Sequence, residues 1–568
     1  MLNTVHLAEP ASQNAPTLRD QQEELVFKLA QNLSACVTRR GDFPIRERLK
    51  KLTEFFQSAY CYFDESARTQ ASVSHTAEWL LDNFHVIEQT IRQVEEDMPA
   101  DYYHRLPKTD DGFARIYILA LAIGQKESIH YDIDQIENFT QIFQSITPLR
   151  IGELWAMPPM LRLAVMETLA DELAVGENLK WDAAPQPALL REAGDFASDS
   201  PKPATETLIV NCILNLRLLG TQDWKAFFEF TSIPEKILND DPAGMYACMD
   251  FETRNRYRNI IEELALGSPV DEVNIASQAI ELARAGTSQR ERHVGYYLIG
   301  SGRILLEARV AYRPTFNRLM RRWIKNNAAL TYLGSIGVLT VLLYFGIIYY
   351  AFSVSEYPAQ IIFAAILSLL PASAMTIELV NWLVNSIIPP RTLPKLDFET
   401  GVPSEYSAMV VIPALLSTDK DAPFLARQLE RHFLGNADPN IHFALLTDFA
   451  DAPQKDMDGD QQNVEQAQAA IELLNQKYGN GNYLPFYLFH RERIWNPSEE
   501  RWMGWERKRG KLEEFNKLLR GNDATSYIVR MGDQSILSTV RYVITLDADT
   551  QLPRDSARRL IGAIAPVG

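Results

Sequence analysis

Cysteine is scarce and scattered in this sequence: Cys36, Cys61, Cys212 and Cys248 are all that occur in 568 residues. With no C-x-x-C pair and no H-E-x-x-H, a zinc site is not indicated, and the four thiols read as reduced packing residues. Basic charge is in deficit too. Lys and Arg number 56 against 73 Asp and Glu, for a net charge of −17, and no nucleic acid is expected as a partner, because neutralising phosphates takes a dominant basic face. Also missing, at Met1 to Pro16, is a charged segment leading into an apolar run. No cleavable signal is therefore evident, and the N-terminal region is expected to stay in the cytoplasm. Internal repeats are absent as well.

What is present falls into three stretches. Residues 1–326 are expected to form a cytoplasmic, mainly α-helical domain. Leu80, Phe84, Ile87, Ile91 and Val94 recur at four- and three-residue steps and line one helix face, a stripe of the kind that packs into a core. A second helix is indicated from Glu153 to Leu173, although Pro158 and Pro159 should interrupt or restart it. Ala183 to Glu206, rich in Pro, Ala, Ser and acids, reads as a flexible linker or surface loop.

Residues 327–390 should cross a membrane twice, as a helical hairpin. Ala328 to Phe352 holds no charge, and at about 1.5 Å per residue it is long enough for a hydrocarbon core of about 30 Å. After SVSE a second apolar run extends from about Tyr357 to Ile388, broken by Pro371 and carrying one acid, Glu378, to which no role is assigned. Arg318, Arg321, Arg322 and Lys325 precede the hairpin and Arg391 and Lys395 follow it, whereas the connecting loop has neither Lys nor Arg. Both outer flanks should face the cytoplasm. The basic flank reads as a topogenic signal, with anionic membrane lipid as its alternative partner.

Residues 391–568 change character again. Ser407 to Leu416 is a continuous apolar run suited to a strand buried on both faces. A helix follows, with Asp421 as N-cap, Pro423 in its first turn and Gly435 as its stop. Ile441 to Asp448 as strand, Gln466 to Gln476 as helix, Leu484 to Arg491 as strand and Gly510 to Gly521 as helix continue the alternation up to VRYVITLDADTQLP, Val540 to Pro553. Such alternation predicts a mostly parallel sheet with helices on both faces. Ligands bind beyond the carboxyl ends of such strands, and Asp448 and Asp547 should share that edge.

The order VVIP (Val410 to Pro413), a strand ending in Thr447 and Asp448, then LDAD (Leu546 to Asp549) resembles the nucleotide-sugar half of GT-A type processive glycosyltransferases. More specifically, LPKLDFETGVPSEYSAMVVIPALL, WERKRGKLEEFNKLLRG and VRYVITLDADTQLPRDSARRLIGA resemble segments of the cyclic β-1,2-glucan synthase family. ELWAMPPMLRLA and the hairpin resemble it too, so the likeness covers nearly the whole chain. It implies that 391–568 is the first part of an incomplete, Rossmann-like α/β GT-A domain in a bacterial inner-membrane enzyme. The implied reaction is inverting transfer of glucose from UDP-glucose to a growing β-1,2-glucan.

The chemistry rests on four residues. Asp547 and Asp549 put one carboxylate at a strand end and the next in the turn, where both can reach Mg²⁺ or Mn²⁺ holding a diphosphate; the other reading is a solvated turn. The resemblance implies that Asp448 contacts the uracil and that Lys508, in KRGKL, faces the diphosphate, with Arg507, Arg509 and Lys511 as close rivals. The carboxylate general base that the resemblance calls for is expected beyond Gly568, so this chain should carry only the donor half of the site and be inactive as a fragment. The alternatives are a non-catalytic membrane scaffold and a synthase of another β-linked polysaccharide.

Overall fold

In the computed structural model, which describes residues 18–38, 44–69, 74–124, 131–183, 187–193, 204–354, 357–388, 390, 392–481 and 483–565, the chain divides into two units. One is Met1–Pro242 with Arg258–Arg313, the other Ala243–Tyr257 with Pro314–Gly568.

The first unit is helical. Helix α1 (His75–Asp97) is opened by Ser74, whose hydroxyl accepts the Ala77 N–H, and it buries Leu80, Ile87 and Val94 of the expected stripe. Its core lies among α2 (Arg115–Gly124), buried along its whole length, α3 (Ile151–Gly176) and α4 (Thr205–Thr221). Contrary to expectation, α3 runs through Pro158 and Pro159, and both are buried. An interior proline costs about 3 kcal/mol, and buried Leu154, Met157, Met160, Leu161 and Leu163 outweigh that at about 1.5–3 kcal/mol each. Glu153 accepts the Arg150 N–H at 2.9 Å and makes two 2.6 Å bonds with Arg115, so the start of α3 also neutralises a buried arginine.

Two further expectations change. Within Ala183 to Glu206, residues 184–186 and 194–203 lie outside the described residues, but Ala188–Ala193 is helical and Thr205 opens α4, so the stretch is not a plain linker. All four cysteines are free thiols, yet only Cys212 is buried and packed; Cys61 and Cys248 are exposed. Met1 to Pro16 and Arg391 lie outside the described residues.

In the second unit, α5 (Phe316–Asn326) leads through Asn327 into α6 (Ala328–Val354), and α7 (Pro358–Ile387) follows. By length and composition α6 and α7 are fit to cross a membrane. They pair through the Tyr332 hydroxyl, which donates to Asn381 Oδ1 at 2.8 Å, and α7 buries only Ala372, Thr376 and Val380, a stripe at four-residue steps. Pro371 does not break α7. In an apolar surrounding a proline forfeits one backbone bond where a break would forfeit several.

Beyond the hairpin come β1 (Ala408–Leu416), α8 (Asp421–Gly435), β2 (Ile441–Phe449), α9 (Asp460–Tyr478) and β3 (Phe486–Arg491). Then follow β4 (Ile494–Asn496), β5 (Arg501–Met503), α10 (Arg507–Leu519), β6 (Tyr527–Met531), β7 (Tyr542–Thr545) and α11 (Ser556–Ile564). The sheet order is β6-β3-β2-β1-β7, parallel except for the β3–β6 pair. β2 is buried along its length and β3 likewise, as their apolar runs require. Neither edge strand β6 nor the β4–β5 hairpin was expected. Within Val540 to Pro553 only Tyr542–Thr545 is strand, and β7 is half-buried because among the described residues it has a neighbour on one side alone. Asp421 is the first residue of α8, not its N-cap, and its carboxylate reaches back to the N–H groups of Ser417 (2.8 Å) and Thr418 (2.7 Å).

Candidate functional site at the carboxyl edge of the sheet

Strands β1, β2, β3 and β7 run the same way, so their carboxyl ends share one edge. Leu415 is level with Asp448, and Asp448 with Arg491. Val411 pairs with Thr545, the last residue of β7, and Asp547 and Asp549 follow in the turn beyond. The first turns of α10 reach this edge. Lys508 and Lys511, three positions apart and so on one helix face, each meet one strand-end acid. Lys508 bonds to Asp547, while Lys511 lies 3.1 Å from Asp448 Oδ2 and donates to the Ala414 carbonyl at 2.5 Å.

The Asp448 end is dry. Arg491 donates Nε to Asp448 Oδ1 at 2.7 Å and Nη2 to Oδ2 at 2.9 Å, and its Nη1 reaches Glu514 at 3.0 Å. The same guanidinium holds the carbonyls of Trp505 (3.1 Å) and Arg507 (3.0 Å). The second Glu514 oxygen accepts the N–H and hydroxyl of Ser526 at 2.8 and 2.7 Å. Two carboxylates thus face two cations, and burial is tolerable because each charge is met several times. Burial pushes the Lys511 ammonium below the ordinary lysine value, with Asp448 drawing it back. Burial also opposes the Arg491 charge, but the hydrogen bonds and charge of Asp448, then Glu514, hold its pKa up.

This network fixes the approach to α10. Glu506 and Arg507 stand at positive φ of 49° and 45°, a conformation of the sort that persists where its surroundings over-determine it, and Arg491 grips the carbonyls of Trp505 and Arg507 beside them. A Cβ at Gly504 would stand 2.7 Å from Asp448 Oδ2 and 2.9 Å from Arg491 Nη2, and one at Gly510 would stand 2.0 Å from the Trp505 carbonyl. Next to Arg491, the buried His490 ring sits 2.8 Å from Thr447 Oγ1, and burial pushes its pKa down to about 4.

The Asp547 end is wet. Asp547 and Asp549 are exposed, as is Lys508. Among the described residues no group of three or more His, Cys, Asp or Glu is placed to hold a metal. Two carboxylates fit a hard divalent cation when ligand oxygens and water complete its shell.

Of the residues singled out in the sequence, Asp448, Lys508 and Asp547 come to this edge, with Asp549 in the adjoining turn. Among the rivals of Lys508, Lys511 comes as well, whereas Arg507 turns to Asp451 and Glu499 at 2.9 Å each. Arg491, Glu514 and Gly504 were missed. Helix phase offered a signal for two buried groups: Lys511 lies four and seven positions before the buried Phe515 and Leu518, and Glu514 lies four before Leu518.

No family model matches the chain. It is 32% identical over 566 aligned residues to the cyclic beta-(1,2)-glucan synthase NdvB of Rhizobium meliloti (strain 1021), an alignment that takes in 87% of this chain and 20% of that protein. The chain therefore spans about a fifth of the length of the curated relative it matches.

Proposed function

This chain is a relative of cyclic β-(1,2)-glucan synthase, and from that premise we propose that it is the donor-binding part of a membrane-bound inverting glucosyltransferase that uses UDP-glucose to extend a β-1,2-glucan. The sheet unit is then the first part of a GT-A domain, and the α6–α7 hairpin anchors it in the bacterial inner membrane with both flanks in the cytoplasm. The observation that carries the reading is the pairing at the sheet edge: Lys508 with Asp547 and Lys511 with Asp448, two cations of one helix end against two strand-end acids.

On this reading Asp547 and Asp549 hold Mg²⁺ or Mn²⁺, which when bound stabilises the charge gathering on a departing diphosphate. Lys508 is exposed beside Asp547, so its ammonium can pass from that carboxylate to a phosphate oxygen, and the positive end of the α10 dipole favours the same anion. Asp448 serves the base. An ionised carboxylate has about four lone-pair sites; Arg491 takes two and Lys511 one, which leaves one on Oδ1 for the uracil N–H. No general base is assigned within residues 1–568, and this chain alone is proposed to bind donor without turning it over.

Titration calorimetry of the full chain in detergent, with UDP-glucose and Mn²⁺, tests this. Binding should vanish with a chelator and weaken at least about tenfold, some 1.4 kcal/mol, in Asp547→Asn and in Asp549→Asn. Undiminished binding in both variants would overturn the metal assignment, and wild-type indifference to every UDP-sugar would overturn the transferase reading in favour of a scaffold.

A further inference from the structure

Helix α5 (Phe316–Asn326) sorts its residues by face more sharply than the topology signal at this position requires. At about 100° per residue, Phe316, Leu319, Met320, Trp323 and Ile324 fall within an arc of about 140°, and Arg318, Arg321, Arg322 and Lys325 within an opposite arc of about 100°. Asn317 and Asn326 fall at the two borders, and the helix has no acid. In a chain of net charge −17, that is a local reversal of sign.

The apolar arc is not used inside the unit. No residue of α5 is buried, and Phe316, Leu319, Met320 and Trp323 are each more than half exposed. The helix stops at Asn327, whose φ of −115° and ψ of 39° are not helical, and α6 starts at the next residue. That single joint frees α5 from the direction of α6. A purely topogenic flank asks only for positive charge near a span; it does not ask for the charges to be confined to one arc with a continuous aromatic and aliphatic arc behind them.

We propose that α5 lies in the plane of the cytoplasmic membrane face, with Phe316, Leu319, Met320 and Trp323 among the outer ends of the acyl chains and its four basic side chains on the phosphates of anionic lipid. The inference rests on the reading of α6 and α7 as membrane spans. Three features carry it: charge complementarity to an anionic surface, an apolar face of Phe, Leu and Trp opposite an Arg/Lys face, the makeup of interfacial helices, and direct continuity with the first span. Trp323, near the middle of that face, is of a residue type enriched at membrane–water interfaces. Held in this way, α5 would fix the height above the bilayer at which the chain preceding the hairpin emerges.

The test reconstitutes the full chain in vesicles of phosphatidylcholine, with or without about one-third phosphatidylglycerol, using lipids brominated near the headgroup end of the acyl chains. The contributions of Trp323 and Trp382 to fluorescence quenching are isolated by difference from Trp323→Phe and Trp382→Phe. We expect Trp323 to be quenched more strongly in the anionic vesicles, with the excess removed by high salt and by replacing Arg318, Arg321, Arg322 and Lys325 together with Gln. If Trp382, inside the second span, is quenched but Trp323 is not, α5 does not lie in the bilayer and the proposal falls while the span reading stands. If neither is quenched, the span reading falls with it. Quenching of Trp323 that ignores lipid charge, salt and the four substitutions overturns the recognition of anionic lipid.

Discussion

Two strand ends on one edge of the sheet carry an aspartate, and their surroundings are opposite. Asp448 is the last but one residue of β2, a central strand, and is 2% exposed, its carboxylate met by Arg491 and Lys511. Asp547 follows β7, an edge strand among the described residues, and faces solvent with one exposed ammonium, that of Lys508, beside it. A dry carboxylate must be met several times over, and once it is, it holds structure in place. A wet carboxylate with a single mobile partner can exchange that partner for an incoming cation. The same residue type, near the ends of two strands, is thus locked by buried partners in one place, with one lone pair to spare, and left with an exchangeable partner in the other.

The comparison breaks most visibly at Arg491. Arg491→Met leaves Asp448, Glu514 and Lys511 buried with one cation for two acids, and it releases the carbonyls of Trp505 and Arg507 that the guanidinium holds. Loss of one partner from a buried ionic network costs about 3–5 kcal/mol, and urea unfolding of the purified chain should record a loss of that order. The parallel change at the wet end, Asp547→Asn, should shift the same curve by no more than about 0.5 kcal/mol. Equal effects would mean that the two ends do not differ in the way their burial implies.

The strand ends were legible in the sequence and their surroundings were not. Ala408–Leu416 and Ile441–Phe449 are apolar runs that fit a strand covered on both faces, so β1, β2 and the shared edge followed from local pattern. Edge strand β6 mixes Tyr, Ile, Val and Met with Arg530, and β4 and β5 have three residues each, too few for any period to stand out. Arg491 reads locally as a basic residue where a strand surfaces. Its burial is decided by groups at 448, 505, 507 and 514, which only the closed sheet and the loop before α10 bring together. The prolines at 158, 159 and 371 misled for the related reason that their local cost is set against packing, or against an apolar surrounding, that no short window contains.

Acid sharpens the comparison at an intermediate scale. His490 beside the dry end is neutral when folded, its pKa lowered by burial from the ordinary 6.5 to about 4. Between those values the unfolded chain holds a proton that the folded chain does not, so stability falls as pH drops from about 6.5 toward 4 and is recovered above that window. The shift sets an upper bound of about 3.4 kcal/mol on the loss. Comparing urea midpoints at pH 7 and pH 4.5 for wild type and His490→Gln isolates this share: the variant should lose less on acidification, and identical losses would remove His490 from the account.

The smallest effect on stability carries the sharpest distinction. Lys508 and Asp547 form an exposed pair, and exposed pairs contribute about 0–1 kcal/mol. Lys508→Gln should therefore unfold within about 0.5 kcal/mol of wild type, in contrast to Arg491→Met. If the wet end binds a nucleotide diphosphate, the same substitution removes a positive charge from the phosphate's path, and the affinity for UDP-glucose with Mn²⁺ should drop about tenfold, some 1.4 kcal/mol, with a weaker dependence on salt than wild type shows. A variant of unchanged stability that binds poorly makes this end a binding device. Unchanged stability with unchanged binding would reduce Lys508 and Asp547 to a solvated ion pair, and a loss of stability as large as that of Arg491→Met would place both ends of the edge in one structural network.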